Sequence, residues 1–163
     1  MTDQTAATEH DPMLVTHAIF TIERTYPHPP ARVFRAHADK AMKRRWQVEG
    51  EGFTILDHTM DFRVGGEEVA RFAFGEGPEI RTDAQYQDII PDRRIVFCYR
   101  MSMAGQPFSA SLATIEFFAV VGGTRLTFTE QGAYFGDPAA AKGREEGSLG
   151  LLEALAVELD RQD

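Results

Sequence analysis

The sequence predicts an α+β domain in which a curved antiparallel sheet of about seven strands wraps around one long C-terminal helix. Residues 53–131 contain six β-rich runs separated by turn residues, and residues 138–160 carry a long apolar stripe at helical spacing. The helix and the sheet each have one apolar face, so they must pack together. Because a strongly curved sheet cannot touch a straight helix along its whole length, we expect a ring-lined cavity between them.

One strand and two short helices are predicted before the main run of strands. Residues 18–26 are β-rich and end at a group of prolines. Pro30 suits the first turn of a helix because its missing N–H would be unpaired there, and a short helix is predicted over 30–38. Asp39 is a typical N-cap residue and predicts a second helix over 40–46.

Six strands follow, joined by short turns such as Gly65-Gly66 and Gly122-Gly123. Consecutive strands with short connections pair as an antiparallel meander. The predicted strands cover residues 53–63, 67–74, 80–90, 93–103, 108–121 and 124–131.

The last predicted element is the long helix, with Asp137 as its N-cap and Pro138 at its first position. Gly143, Gly147 and Gly150 lie within it, and each costs about 1 kcal/mol relative to Ala. Glycines at these costly positions are explained either by close approach of the helix backbone to the sheet or by space left for a ligand. The apolar stripe consists of Leu149, Leu152, Leu155, Ala156 and Leu159.

Composition and charge exclude several function classes. The formal net charge of −8 repels phosphate backbones and anionic lipids, so we expect no nucleic-acid partner and no membrane partner. The basic run Lys43-Arg44-Arg45 is interpreted as a solvated helix face. No apolar stretch reaches the ~20 residues of a bilayer span. Residues 1–13 are polar and acidic, which predicts a disordered tail before a domain over 14–163 and no secretory signal.

A single cysteine, Cys98, cannot form an internal disulfide and favours a reducing, cytoplasmic setting. We interpret it as an inert buried thiol that points away from the cavity. The five histidines show no metal-ligand spacing, and neither a nucleophile elbow nor a phosphate loop is present, so no metal and no cofactor are predicted. Asp61 and Arg63 beside Gly65-Gly66 are interpreted as a structural salt bridge.

Alternation along the strands assigns the side chains that face the cavity. Glu130 is the main polar candidate, because burial would raise its pKa and let it orient a ligand or act as an acid or base. It could instead pair with an arginine near the sheet rim. Trp46 either closes the pocket or anchors the core. The predicted ligand-binding residues are Trp46, Phe72, Phe74, Tyr86, Phe97, Tyr99, Phe117, Phe128, Glu130, Ser148 and Leu152.

Several ordered motifs resemble one known family. The chain is similar to members of the START-like, helix-grip (SRPBCC) superfamily, in the branch named after the C-terminal domain of the activator of Hsp90 ATPase. The family often has His where Glu130 stands and Trp where Ser148 stands, and Arg45 occupies what is often the first of two tryptophans. These departures imply a cavity of different size and polarity. The motifs lie at residues 20–36, 46, 61–66, 89–97, 122–132, 146–147 and 152–155.

Three functions stay open at this point. A binding protein for a small apolar or amphipathic molecule needs only the cavity. A cyclase, hydrolase or isomerase would use Glu130 and Tyr99 as acid and base. A co-chaperone-like interaction module is suggested by the family name. Outward-facing apolar residues also make a homodimer conceivable, and these are Ile90, Val96 and Phe118.

Overall fold

The computed structural model describes residues 11–162 and contains one seven-stranded sheet, in which all neighbouring strands are antiparallel. The strand order is β1-β7-β6-β5-β4-β3-β2, so the first two strands form the edges. This arrangement confirms the predicted helix-grip fold. The strands are β1 Val15–Tyr26, β2 Phe53–Met60, β3 Glu67–Phe74, β4 Ile80–Ile90, β5 Arg94–Met103, β6 Gln106–Val120 and β7 Gly123–Phe135.

Two short helices follow β1, and the second continues into a wider, π-helical turn. Helix α1 spans Pro30–Ala38, with a proline at its first position. Helix α2 spans Lys40–Lys43, and the Asp39 side chain accepts a hydrogen bond from the Met42 N–H at 3.0 Å, as an N-cap should. The chain then forms a π-helical turn over Arg44–Val48 where a continuous α-helix was predicted. Such turns occur frequently at functional sites.

The long helix α3 spans Ala140–Leu159 and lies against the inner face of the sheet. It begins later than predicted because Asp137 accepts from the Ala139 N–H at 2.9 Å and closes a turn ahead of the helix. Its C-terminal end is held by Arg32 of α1, which donates to the Leu159 carbonyl oxygen at 2.8 and 3.1 Å. This contact satisfies a carbonyl that has no partner within the helix.

The core lies between α1, α3 and the curved sheet. Leu152, Leu155 and Leu159 of α3 are buried, as the predicted stripe requires. Phe34 of α1 stacks edge-on against Phe117 of β6 at a centroid distance of 5.6 Å. Edge-to-face ring pairs of this kind stabilise a core beyond the area they bury. This packing fills one end of the space under the helix.

A β-bulge in β4 changes which residues face the core. Tyr86 pairs with Phe97 and Asp88 with Val96, which leaves Gln87 as the extra residue. Strict alternation would put Tyr86 and Asp88 on one face, but the bulge places them on opposite faces. Tyr86 is buried, whereas Asp88 pairs with Arg94 at 2.7 Å on an exposed part of the sheet.

Two turn glycines are required by close backbone approach. A Cβ on Gly66 would lie 2.0 Å from the Asp61 carbonyl oxygen, and one on Gly123 would lie 1.9 Å from the Tyr26 carbonyl oxygen. Both distances are far below van der Waals contact, so a side chain would force the backbone apart. The exposed Arg63–Asp61 pair, at 2.8 Å, lies in the first of these turns.

Several surface predictions can be placed on this fold. Cys98 lies exposed on the outer face of β5, so the prediction of a buried thiol was wrong. Ile90 and Phe118 are exposed, as an interface between copies would require, and the homodimer stays a prediction. Residues 1–10 of the predicted tail lie outside the described residues. Within 11–162, no helix has the length and apolar character needed to cross a bilayer.

Candidate functional site

A cavity of about 410 Å³ lies between α3 and the inner face of the sheet. Its walls come from strands β3 to β7, from the ends of α1 and α2 with the following π-helical turn, and from α3 as far as Leu152. Rings supply much of the surface, as the curvature argument predicts. The aromatic lining residues are His37, Trp46, Phe72, Phe97, Tyr99, Phe108 and Phe128.

Two of the helix glycines, both partly open to solvent, border this cavity. Gly143 and Gly147 line it, and a Cβ built on either would meet no atom within 4 Å. Close approach to the sheet is therefore not the reason for these glycines. Of the two explanations that the sequence left open, room beside the helix is the one that the geometry supports. Gly150 also faces open space but does not line the cavity.

One wall of the cavity carries a buried polar group that we call the Glu130 network, consisting of Glu130, Tyr99, Tyr134 and Arg144. The Glu130 carboxylate is fully buried and accepts from the Tyr99 hydroxyl at 2.5 Å, from Tyr134 at 3.3 Å and from Arg144 at 3.5 Å. Arg144 also donates to the Tyr99 hydroxyl at 2.8 Å. Two serines of β6, Ser109 and Ser111, accept its other hydrogen bonds at 2.7 and 3.3 Å.

Burial controls the proton affinities in the Glu130 network. Desolvation raises the pKa of Glu130, and the hydrogen bond from Tyr99 and the positive charge of Arg144 oppose that rise. Desolvation and the negative charge of Glu130 raise the pKa of Tyr99, so its hydroxyl stays protonated and donates. The carboxylate of Glu130 thus has an arginine partner within the protein, as in the alternative interpretation, but this arginine lies on α3 instead of near the sheet rim.

A second buried polar group, the Glu68 network, comprises Glu68, Lys43, His58 and Tyr86. The Lys43 ammonium donates to Glu68 at 2.5 Å and to the Tyr86 hydroxyl at 3.2 Å. The other carboxylate oxygen of Glu68 lies 2.9 Å from Nε2 of His58, and Tyr86 donates to Glu68 at 2.7 Å. Lys43 and Glu68 both line the cavity. Burial acts to raise the pKa of Glu68, but Lys43, His58 and Tyr86 outweigh it and lower the pKa to about 2.

His37 adds a neutral ring to the cavity wall. It packs edge-on against Trp46 at 5.0 Å and against Phe117 at 5.5 Å, and its Nδ1 donates to the Val33 carbonyl oxygen at 3.0 Å. Burial lowers the pKa of His37 from 6.5 to about 4, and the nearby Lys43 lowers it further while the backbone hydrogen bond opposes. The ring is uncharged at neutral pH.

His37 should make the stability of the domain depend on pH. A folded-state pKa below the unfolded value means that the unfolded chain takes up the proton first, so stability is lost as pH falls from about 6.5 to about 4. We expect a loss of about 2 kcal/mol between pH 7 and pH 5, measured by urea unfolding. His37→Phe should remove this loss. Parallel curves for the two proteins would contradict the assignment.

A family model for Activator of Hsp90 ATPase homolog 1-like proteins matches residues 27–160, which is most of the chain. The chain belongs to this family. The resemblance to the START-like superfamily drawn from the motifs is thereby confirmed. A search of curated protein sequences found no significant match.

Solved structures support the family assignment. The Mll3558 protein from Rhizobium loti is 61% identical over 89% of this chain and 99% of its own, with a TM-score of 0.83. A protein from Rhizobium leguminosarum is 38% identical over 91% of this chain and 98% of its own, with a TM-score of 0.87. The CV1439 protein from Chromobacterium violaceum is 28% identical over 88% of this chain and 98% of its own, with a TM-score of 0.73.

Among the eleven residues predicted to bind a ligand, eight line the cavity in this Activator of Hsp90 ATPase homolog 1-like domain. Tyr86 and Phe117 point inward but are packed in the core, against Phe62 and Phe34 respectively. Phe74 is 59% exposed and stacks on Phe53 at the sheet edge, so its placement in the cavity was wrong. The eight are Trp46, Phe72, Phe97, Tyr99, Phe128, Glu130, Ser148 and Leu152.

Sequence reasoning missed the cations of the cavity. Lys43 was assigned to a solvated helix face, and this was wrong because its side chain is 7% exposed and paired with Glu68. Glu68 lies on the same face of β3 as Phe72, so alternation could have found it. Arg144 lies four and eight residues before Ser148 and Leu152, which is the spacing of one helix face.

The outer face of the sheet carries a different kind of surface. A wide, open depression of about 1070 Å³ is lined by charged and polar residues together with small and apolar ones, among them Ile19, Val69 and Leu112. It is open to solvent, unlike the inner cavity, which lies between α3 and the sheet. Within residues 11–162, no group of three or more His, Cys, Asp or Glu side chains is placed to hold a metal ion.

Proposed function

We propose that this domain binds a small, largely apolar molecule in the cavity between α3 and the sheet. The observation that carries the proposal is a cavity of about 410 Å³ whose walls combine aromatic rings with a few buried polar groups. Ligand sites in proteins are usually mostly apolar clefts of about 300–1,000 Å³ with a few fixed polar atoms. Family membership is consistent with such a role.

Binding is favoured over catalysis by the state of the acid–base candidates. Tyr99 and Glu130 do meet, at 2.5 Å, but the contact is a hydrogen bond from one to the other. Glu130 has three donors within the protein and no exposed surface. A general base needs a free lone pair directed at the substrate proton. These residues therefore support a fixed polar wall better than a proton-transfer pair.

Filling the cavity from the helix tests the proposal. Gly147→Phe places a ring where a Cβ meets no atom within 4 Å, and it also removes a helix-destabilising glycine. We expect the affinity for the uncharged dye Nile red to fall about a hundredfold, equivalent to about 3 kcal/mol. Dye emission reports binding, and fluorescence of the single tryptophan, Trp46, in the cavity wall gives an independent readout.

Gly150→Phe is the matched control, because Gly150 lies in the same helix, faces open space and does not line the cavity. This variant should bind the dye as the wild type does. Native mass spectrometry of wild type and Gly147→Phe would show whether a co-purifying molecule is lost with the cavity. Equal dye affinity in all three proteins, or no dye binding at all, would contradict the proposal.

A further inference from the structure

One buried polar atom in the cavity wall lacks a partner. Gln47 lies in the π-helical turn and lines the cavity, and its side-chain oxygen Oε1 is buried without a hydrogen bond among residues 11–162. Buried acceptors are nearly always paired in native proteins, and an unpaired one is costly. An acceptor that the fold leaves unpaired at a cavity wall is suited to a donor on the ligand.

A hydrogen-bond donor lies one helical turn before this acceptor. The Lys43 ammonium has three hydrogens, and the described residues accept two of them, on Glu68 and on Tyr86. Lys43 also lines the cavity, so a ligand acceptor beside its ammonium group would take the third hydrogen. The junction of α2 and the π-helical turn thus presents a donor and an acceptor on the same wall.

The charges of the cavity balance. Its lining includes two cations, Lys43 and Arg144, and two carboxylates, Glu68 and Glu130, and each cation is paired with one carboxylate. A charged ligand would lose its hydration without finding an unpaired counter-charge. An uncharged ligand avoids that cost while still using the donor and the acceptor.

We infer that the ligand is an uncharged, ring-containing molecule with an amide-like group, whose N–H donates to Gln47 Oε1 and whose carbonyl oxygen accepts from Lys43. The inference rests on the proposed function and adds the chemical class of the ligand. The aromatic lining, including Phe72, Phe97 and Phe128, would hold the ring body. A carboxylate of the same shape lacks the donor and carries an unmatched charge.

Three matched probes test this inference by isothermal titration calorimetry: cyclohexylbenzene, 4-cyclohexylbenzamide and 4-cyclohexylbenzoate. The wild type should bind the benzamide about tenfold more tightly than the benzoate, a difference of about 1.4 kcal/mol. Gln47→Leu should weaken benzamide binding about tenfold and leave cyclohexylbenzene binding unchanged. Because Oε1 is unpaired in the free protein, this variant should unfold at the same temperature as the wild type or a higher one.

Gln87→Leu, on the exposed bulge of β4, is the matched control and should bind all three probes as the wild type does. Tighter binding of the benzoate, or a Gln47→Leu protein with unchanged preference, would overturn the inference while cyclohexylbenzene binding still supported the proposed function. If none of the three probes binds, the proposed function itself fails.

Discussion

Arg144→Met is expected to lower the free energy of unfolding by about 3–5 kcal/mol. The substitution keeps much of the side-chain volume but leaves the fully buried carboxylate of Glu130 without its cation. It also removes the hydrogen bond, 2.7 Å long, that Arg144 donates to the Ser109 hydroxyl oxygen. An uncompensated buried charge is among the most costly changes a core can carry. Urea unfolding at pH 7 measures the loss.

The double variant Arg144→Met with Glu130→Gln separates charge from packing. The glutamine keeps an acceptor for Tyr99 and removes the negative charge, so we expect the double variant to be more stable than Arg144→Met alone. Lys142→Met, exposed in the same helix, should change stability by no more than about 0.5 kcal/mol. A double variant no more stable than the single one would show that the two charges are not coupled.

Lys43→Met should also cost about 3–5 kcal/mol at pH 7, because Glu68 loses the cation 2.5 Å away. In the wild type, Glu68 has a pKa of about 2 instead of 4.5, so its contribution is full above pH 4.5 and is lost as pH falls towards 2. Without Lys43, burial instead favours the protonated acid. The stability difference between the two proteins should therefore shrink as pH falls from the raised pKa of Glu68 in the variant, above 4.5, towards the wild-type pKa of about 2.

Chemical denaturation of both proteins at pH 7 and at pH 3.5 checks this expectation. Lys40→Met is the control within the same short helix, because Lys40 is exposed, and it should behave as the wild type at both pH values. A deficit for Lys43→Met that is the same at the two pH values would mean that Glu68 does not depend on Lys43 for its ionised form.

The fold could be predicted because its determinants are local. Pro30 and Asp39 start the two short helices. Turn glycines separate the consecutive strands, and short connections of this kind favour pairing as an antiparallel meander. The apolar stripe of α3 then fixes which face meets the sheet. The bulge at Gln87 was not foreseen, because the alternation around Gln85, Gln87 and Asp88 is too weak to show the shift in phase that an inserted residue causes.

The candidate site was predictable in its apolar part and less so in its polar part. Alternation places Phe97, Tyr99 and Glu130 on the inner face, but it does not show how far the helix covers each strand. Phe74 is on the predicted face, but it lies near the sheet edge, where the helix does not cover the sheet. Lys43 resembles a surface lysine in the sequence because its partner, Glu68, is 25 residues away and only the fold brings them together.

A crystal structure of the protein grown with 4-cyclohexylbenzamide tests the central claim most directly. The proposed function predicts the two rings between α3 and the sheet, in contact with Phe97 and Phe128. The inference about the ligand class adds that the amide lies within about 3.2 Å of Gln47. A cavity closed by side chains, with the compound absent or bound to the outer face of the sheet, would contradict it.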